Sequence, residues 1–124
     1  MFNEAEFKTR FQHDAVPVRL GNLASSTKRL GYLIFSNKSR ATVSMLFREC
    51  RLFIEWTVPD AELETQAALA TLQHDLQNWQ NDFKSANGAD DWRAEINAAC
   101  ERWANRILEL SGLLKTSRNG VVQS

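Results

Sequence analysis

The chain has 124 residues, 44% of them hydrophobic and 24% charged, with fifteen Lys/Arg against fifteen Asp/Glu. That is the size of one domain, with enough apolar mass for a core that needs neither metal nor disulfide. Zero net charge gives no global support to DNA or anionic-membrane binding, and no run approaches the roughly 20 apolar residues of a membrane span.

The N-terminal MFNEAEFKTR carries acids and no apolar run, unlike a signal peptide, so a cytoplasmic chain is expected. Phe2 to His13 predicts a short first helix, with Asn3 as N-cap, Glu4 and Glu6 in the first turn, and Phe7 and Phe11 as an i,i+4 apolar pair. Pro17 marks the next start. From about Val18 to Phe35, Leu20, Leu23, Ala24, Thr27, Leu30, Gly31 and Ile34 share one helical face. Its small residues suit close approach by a neighbour, and Gly31 otherwise costs about 1 kcal/mol relative to Ala. Ser36 to Ser39 is a predicted turn, with Ser39 able to cap the next helix.

The third helix, about Arg40 to Thr57, is the one the others are expected to pack against. Val43, Leu46, Phe47, Cys50, Phe53, Ile54 and Thr57 form one apolar face, and Met45, Leu52 and Trp56 form a second cluster on the far side. A helix apolar on most of its circumference is buried on most of it, inside the domain or against a second subunit. Val58-Pro59-Asp60 ends it, because proline cannot continue a helix. Asp60 is expected to cap a fourth helix reaching about Lys84, with the stripe Ala61, Ala68, Leu69, Leu72, Leu76, Trp79 and Phe83. Asn87-Gly88 is a turn signal. Asp90 is expected to cap a last helix from Asp91 to Leu114, with a near-heptad seam of Trp92, Ile96, Ala99, Trp103, Ile107, Leu110 and Leu114.

These elements predict an all-α fold: an up-down antiparallel four-helix bundle with a short extra N-terminal helix, as one domain over residues 1–114, followed by a polar, flexible tail over 115–124.

Two stretches, LGNLASSTKRL (20–30) and FIEWTVPDAELETQAALATLQHDLQNWQ (53–80), resemble a group of small uncharacterised cyanobacterial proteins, in which an NLA segment and an FIEWT-type segment recur at similar spacing to a following Trp. The resemblance spans residues 20–80 and implies no activity, so it carries over no functional residue.

Motifs of catalysis are missing from the sequence. Neither His13 nor His74 has the Glu-x-x-His pattern of di-iron helices, and there is no CxxCH, no glycine-rich phosphate loop and no GxSxG elbow around Ser25-Ser26. His13 is expected near a helix end and His74 on the surface. Cys50 and Cys100 fall on or beside apolar stripes and are expected to be small buried residues of a reducing compartment. No cofactor or metal is expected, and the chain is not expected to be an enzyme.

Two features remain. Residues 1–57 carry nine Lys/Arg against five acids, and residues 58–124 carry six against ten. Such complementary halves match each other inside a domain or across a dimer. The basic cluster Lys28, Arg29, Lys38 and Arg40 flanks the turn between helices two and three. It is expected as a solvated corner, with a nucleic-acid-associated role as the alternative. Aromatics do not interleave with these cations in the sequence, and the third helix is too apolar for a DNA recognition helix. The second feature is Glu49, a carboxylate between the Phe53 and Trp56 directions. It needs an ion-pair partner, an exposed edge or a ligand to face. The sequence therefore predicts a protein-interaction domain, a homodimer or a partner binder, whose interface is Met45, Glu49, Leu52 and Trp56. A small-ligand-binding bundle or small enzyme is the second alternative.

Overall fold

A computed structural model describes residues 3–37, 39–85 and 89–112. The chain is all-α: α1 (Glu4–His13), α2 (Val16–Phe35), α3 (Arg40–Thr57), a single 3-10 turn (Val58–Asp60), α4 (Leu63–Ser85) and α5 (Asp90–Ser111). No strand occurs among the described residues. Phe2, Lys38, the Asn87-Gly88 turn, Leu114 and the tail over 115–124 lie outside them.

Local chemistry explains most of the boundaries. Asn3 Oδ1 accepts from Glu6 N at 3.1 Å and starts α1, and Ser39 Oγ accepts from Thr42 N at 3.2 Å and starts α3. Pro17 sits in the first turn of α2, which begins two residues earlier than its sequence suggested. Asn37 turns the chain from α2 to α3 with φ 53°, a left-handed conformation that Asn tolerates.

Three boundary expectations are corrected. Asp60 does not cap α4, because the 3-10 turn places it two residues too early, and it pairs with Arg19 instead. Gln66 closes that corner, its Nε2 donating to the carbonyls of Val58 at 2.9 Å and Ala61 at 3.0 Å. Asp90 is the first residue of α5 rather than its cap, and it pairs with Arg93. Finally, α5 stops at Ser111, because Gly112 takes φ 82° and its N–H closes on the Glu109 carbonyl. That is a glycine C-terminal stop, which the run towards Leu114 had masked.

Cross-contacts give the chain direction. Thr27 meets Cys50 and Arg19 meets the Trp56 carbonyl, so α2 and α3 run antiparallel. Arg40 meets the Phe83 carbonyl and Gln73 meets the Arg51 carbonyl, so α3 and α4 do too. Trp103 Nε1 donates to Asp75 Oδ2 at 2.9 Å, and Phe83 stacks near Trp92, joining α4 to α5. The most extensive approach in the molecule is between α2 and α5. Helix α1 lies along α3, with Phe11 stacked on Phe53 at 4.2 Å and Phe7 edge-on to Trp56 at 5.7 Å.

The expected faces of α2 and α3 are all buried, from Leu20 to Ile34 and from Val43 to Thr57. The face of α5 is not the expected seam. Its buried residues are Ile96, Cys100, Ala104, Ile107 and Ser111, so the helix is rotated to bring small side chains inward, while Trp92, Ala99 and Trp103 sit half-buried at the edge. The cause is at Gly31. A Cβ placed there would lie 2.6 Å from the Cys100 Cβ and 3.2 Å from the Asn97 Cα. The two backbones meet at a distance only a glycine permits.

The two cysteines are free and buried in this centre. Burial pushes the Cys50 thiol up to about 12. The Thr27 hydroxyl bond works against that shift, and the Glu49 charge adds to it. Burial likewise pushes Cys100 up to about 12, with Cys50 adding to the shift. Neutral thiols of this kind are packing groups rather than nucleophiles.

Candidate functional site

The short α1 cannot cover the whole outer side of α3. It presses Phe7 and Phe11 onto Phe53 and Trp56 and leaves open space on both flanks. On one flank a groove of about 580 Å³ is lined by Asn3, Glu6, Phe7 and Arg10 of α1 and by Met45, Arg48, Glu49 and Leu52 of α3. On the other a cleft of about 490 Å³ runs between α1 and α2, lined by Phe7, Arg10, Phe11, Asp14, Asn22, Ser25, Ser26, Glu49 and Phe53. Phe7, Arg10 and Glu49 belong to both.

Three of the four expected interface residues are brought together in the larger groove. Met45 is 58% exposed, and Leu52 and Glu49 are half-buried. Trp56 is not with them. The chain's own α1 covers it, with Phe7 and Phe11 against its indole, so the second apolar cluster of α3 is divided between the core and the surface. Glu49 has neither an arginine partner nor full exposure. Ser26 Oγ donates to its Oε2 at 2.6 Å, and among the described residues no cationic nitrogen lies within 4.0 Å of it.

The groove has both signs of charge on its rim. Arg48 is paired with Glu4 across the α1–α3 boundary, and Arg10 and Glu6 stand on α1. The linear pattern marked Glu6 only as a first-turn acid and did not mark Arg10, because their place at the groove comes from where α1 docks.

The docking itself depends on Arg19, whose role the sequence pattern did not reveal. Its side chain is 8% exposed. Nε donates to the Asp14 carbonyl at 2.8 Å, Nη2 to the Gln12 carbonyl at 3.1 Å, and Nη1 to the Trp56 carbonyl at 3.2 Å and to Asp60 Oδ2 at 2.8 Å. The carbonyl-rich, negative ends of α1 and α3 thus converge on one guanidinium. A signal was present: a cation in the first turn of a helix opposes that helix's own dipole, so Arg19 had to serve another element.

The expected basic cluster is spread out. Lys28 and Arg29 are exposed on α2 and share a shallow groove with Ser25, Tyr32, Asn97 and Glu101. Arg40, exposed at the start of α3, stacks over the Phe83 ring at 4.3 Å and donates to the Phe83 carbonyl at 3.2 Å. Lys38 lies outside the described residues. Tyr32, three and four residues on along the helix, stands beside Lys28 and Arg29, which corrects the expectation that no aromatic interleaves with these cations. Glu101 places an acid in the same groove.

His13 and His74 are both exposed, on α1 and α4. Among the described residues no three His, Cys, Asp or Glu side chains gather as metal ligands would. None of the described helices is long and apolar enough to cross a membrane. Comparison with protein-family models, curated proteins and solved structures gives no match for this chain.

Proposed function

We propose that the protein is a non-enzymatic interaction domain that self-associates through the groove between α1 and α3. The observation that carries this reading is the exposed Met45 at a groove whose rim holds Arg10 and Arg48 with Glu6 and Glu49. A two-fold interface sets one patch against its own copy. A patch of a single sign would repel itself, whereas this one can place each acid opposite a base while apolar Met45 and Leu52 lose water at the centre. Met45 of each copy seats beside Phe7 and Leu52 of the other, a helix-in-groove contact.

On this reading α2 to α5 form an up-down antiparallel four-helix bundle, and α1 is an extra helix that shapes one wall of the interface. The two free, buried thiols suit the reducing cytoplasm.

The test is a charge placed in the groove. Met45→Glu and Leu52→Glu are expected to convert the associated species to monomer in sedimentation. Leu63→Glu, at a site 82% exposed and outside the groove, is expected to leave it unchanged. Equal masses for all three variants and the parent chain would refute the groove as the interface.

A further inference from the structure

Glu49 lies on the rim of the self-association groove and also faces the second cleft. It sits at the junction of the two openings that flank α1, half-buried, with one hydroxyl bond and no described cation within 4.0 Å. A half-buried carboxylate with no counter-charge beside it is open to pairing with a cation from outside. Ser26, itself buried on α2, donates its hydroxyl to Oε2 and so fixes that carboxylate at the cleft.

The smaller cleft is suited to supply that positive group from outside. Its walls are Phe7, Phe11 and Phe53, its polar edge is Asn22, Ser25 and Ser26, and its charged members are two acids, Glu49 and Asp14, against one base, Arg10. The carboxylates favour organic cations over anions through ion pairing, and the phenylalanines, whose faces are packed on one another, add apolar contact. Its volume of about 490 Å³ lies in the range of small-molecule sites. From this geometry we infer that the cleft between α1 and α2 binds a small organic cation, a protonated amine on an aromatic or apolar body. Glu49 takes the ammonium group, Asp14 lends a second negative charge, and the phenylalanines cover the body. This cleft shares Phe7, Arg10 and Glu49 with the self-association groove, so amine binding and solution mass are followed as separate readouts.

The experiment uses three probes of one shape and different charge: phenethylamine, 2-phenylethanol and 3-phenylpropionate. Binding to the full chain is followed by titration calorimetry and by tryptophan fluorescence, since Trp56 packs against Phe7 and Phe11. Phenethylamine is expected to bind saturably at neutral pH, at least tenfold tighter than the alcohol and the acid. Glu49→Gln, which keeps shape and an acceptor for Ser26, is expected to lose that tenfold preference. Arg10→Gln, on the exposed surface of α1, removes the competing cation and is expected to strengthen amine binding two- to fivefold. Equal binding of amine and alcohol by the parent chain would overturn the inference without any variant, as would an amine preference that survives in Glu49→Gln. Amine binding with an unchanged mass in light scattering supports the cleft while counting against self-association, and the converse result separates the two the other way.

Discussion

The two sides of α2 and α3 are built on opposite plans. Where α2 meets α5 the closest approach is set by a glycine: Gly31 faces Cys100 and Asn97 with no room for a Cβ. Where α1 meets α3 the contact is made of large rings on a helix of ten residues. A missing side chain lets two long backbones approach closely, leaving only a shallow groove at their outer edge. Large side chains hold a short helix off its neighbours, so that cover and groove come together. The stable side of the molecule and its receptive side are therefore distinguished by side-chain size before any charge is considered.

The largest expected effect comes from cutting the tie that joins the two plans. Arg19→Ala removes four hydrogen bonds and leaves the carbonyls of Gln12, Asp14 and Trp56 without that donor. Charge-assisted bonds of this kind contribute more than neutral ones, and the expected loss is about 3 kcal/mol in chemical denaturation. Amide exchange should rise first in α1, which loses its anchor. Loss spread evenly over all helices would mean that Arg19 is a general core residue rather than the clasp of α1.

Gly31→Ala tests the close side. Helix propensity favours alanine by about 1 kcal/mol. The added methyl, however, meets the Cys100 Cβ at 2.6 Å, and overpacking of that sort costs about 1 to 3 kcal/mol. The Cys100 Cβ is tied to its backbone and cannot swing away, so the cost wins and a net loss of about 1 kcal/mol is expected. Cys100→Ala should not rescue it, because the Cβ remains. A stabilised Gly31→Ala variant would show that the two helices do not approach so closely.

The core thiols give a pH signature of the same side. Their ordinary value is 9.0, and in the folded protein both are pushed up to about 12. The unfolded chain therefore gives up thiol protons between those values while the folded chain keeps them. Stability from this source is full below about pH 9 and is lost as pH rises towards about 12. The double variant Cys50→Ala, Cys100→Ala is expected to start less stable, because of the space it leaves, but to lose less on moving from about pH 8 to about pH 11. The parent thiols should also react with a thiol reagent only as fast as the chain unfolds.

The smallest expected effect on stability is on the receptive side. Met45→Glu should change unfolding by no more than about 0.5 kcal/mol, as an exposed substitution does, while altering association strongly. An equal fall in both would place Met45 in the fold rather than the interface.

Much of this was legible in the sequence. The faces of α2 and α3 follow from periodicity, since each helix buries one continuous stripe. The caps Asn3 and Ser39 and the stop at Pro59 follow from single residues. The face of α5 did not, because large apolar residues such as Trp92 and Trp103 outweigh Cys100 and Ala104 in any count of hydrophobicity. What decided the rotation was the room at Gly31, a property of another helix. The site was half legible for the same reason. Met45, Leu52 and Glu49 stand out on their own helix, but whether Trp56 joins them depends on where α1 lies, and that depends on Arg19 reaching carbonyls in two distant segments.

Whether a second copy covers the open side of α3 is decided by light scattering across a concentration series. A chain of 14.1 kDa is expected to approach twice that mass as concentration rises, and to remain at 14.1 kDa when Met45 is replaced by Glu. A parent chain that stays strictly monomeric at high concentration would contradict self-association through this groove.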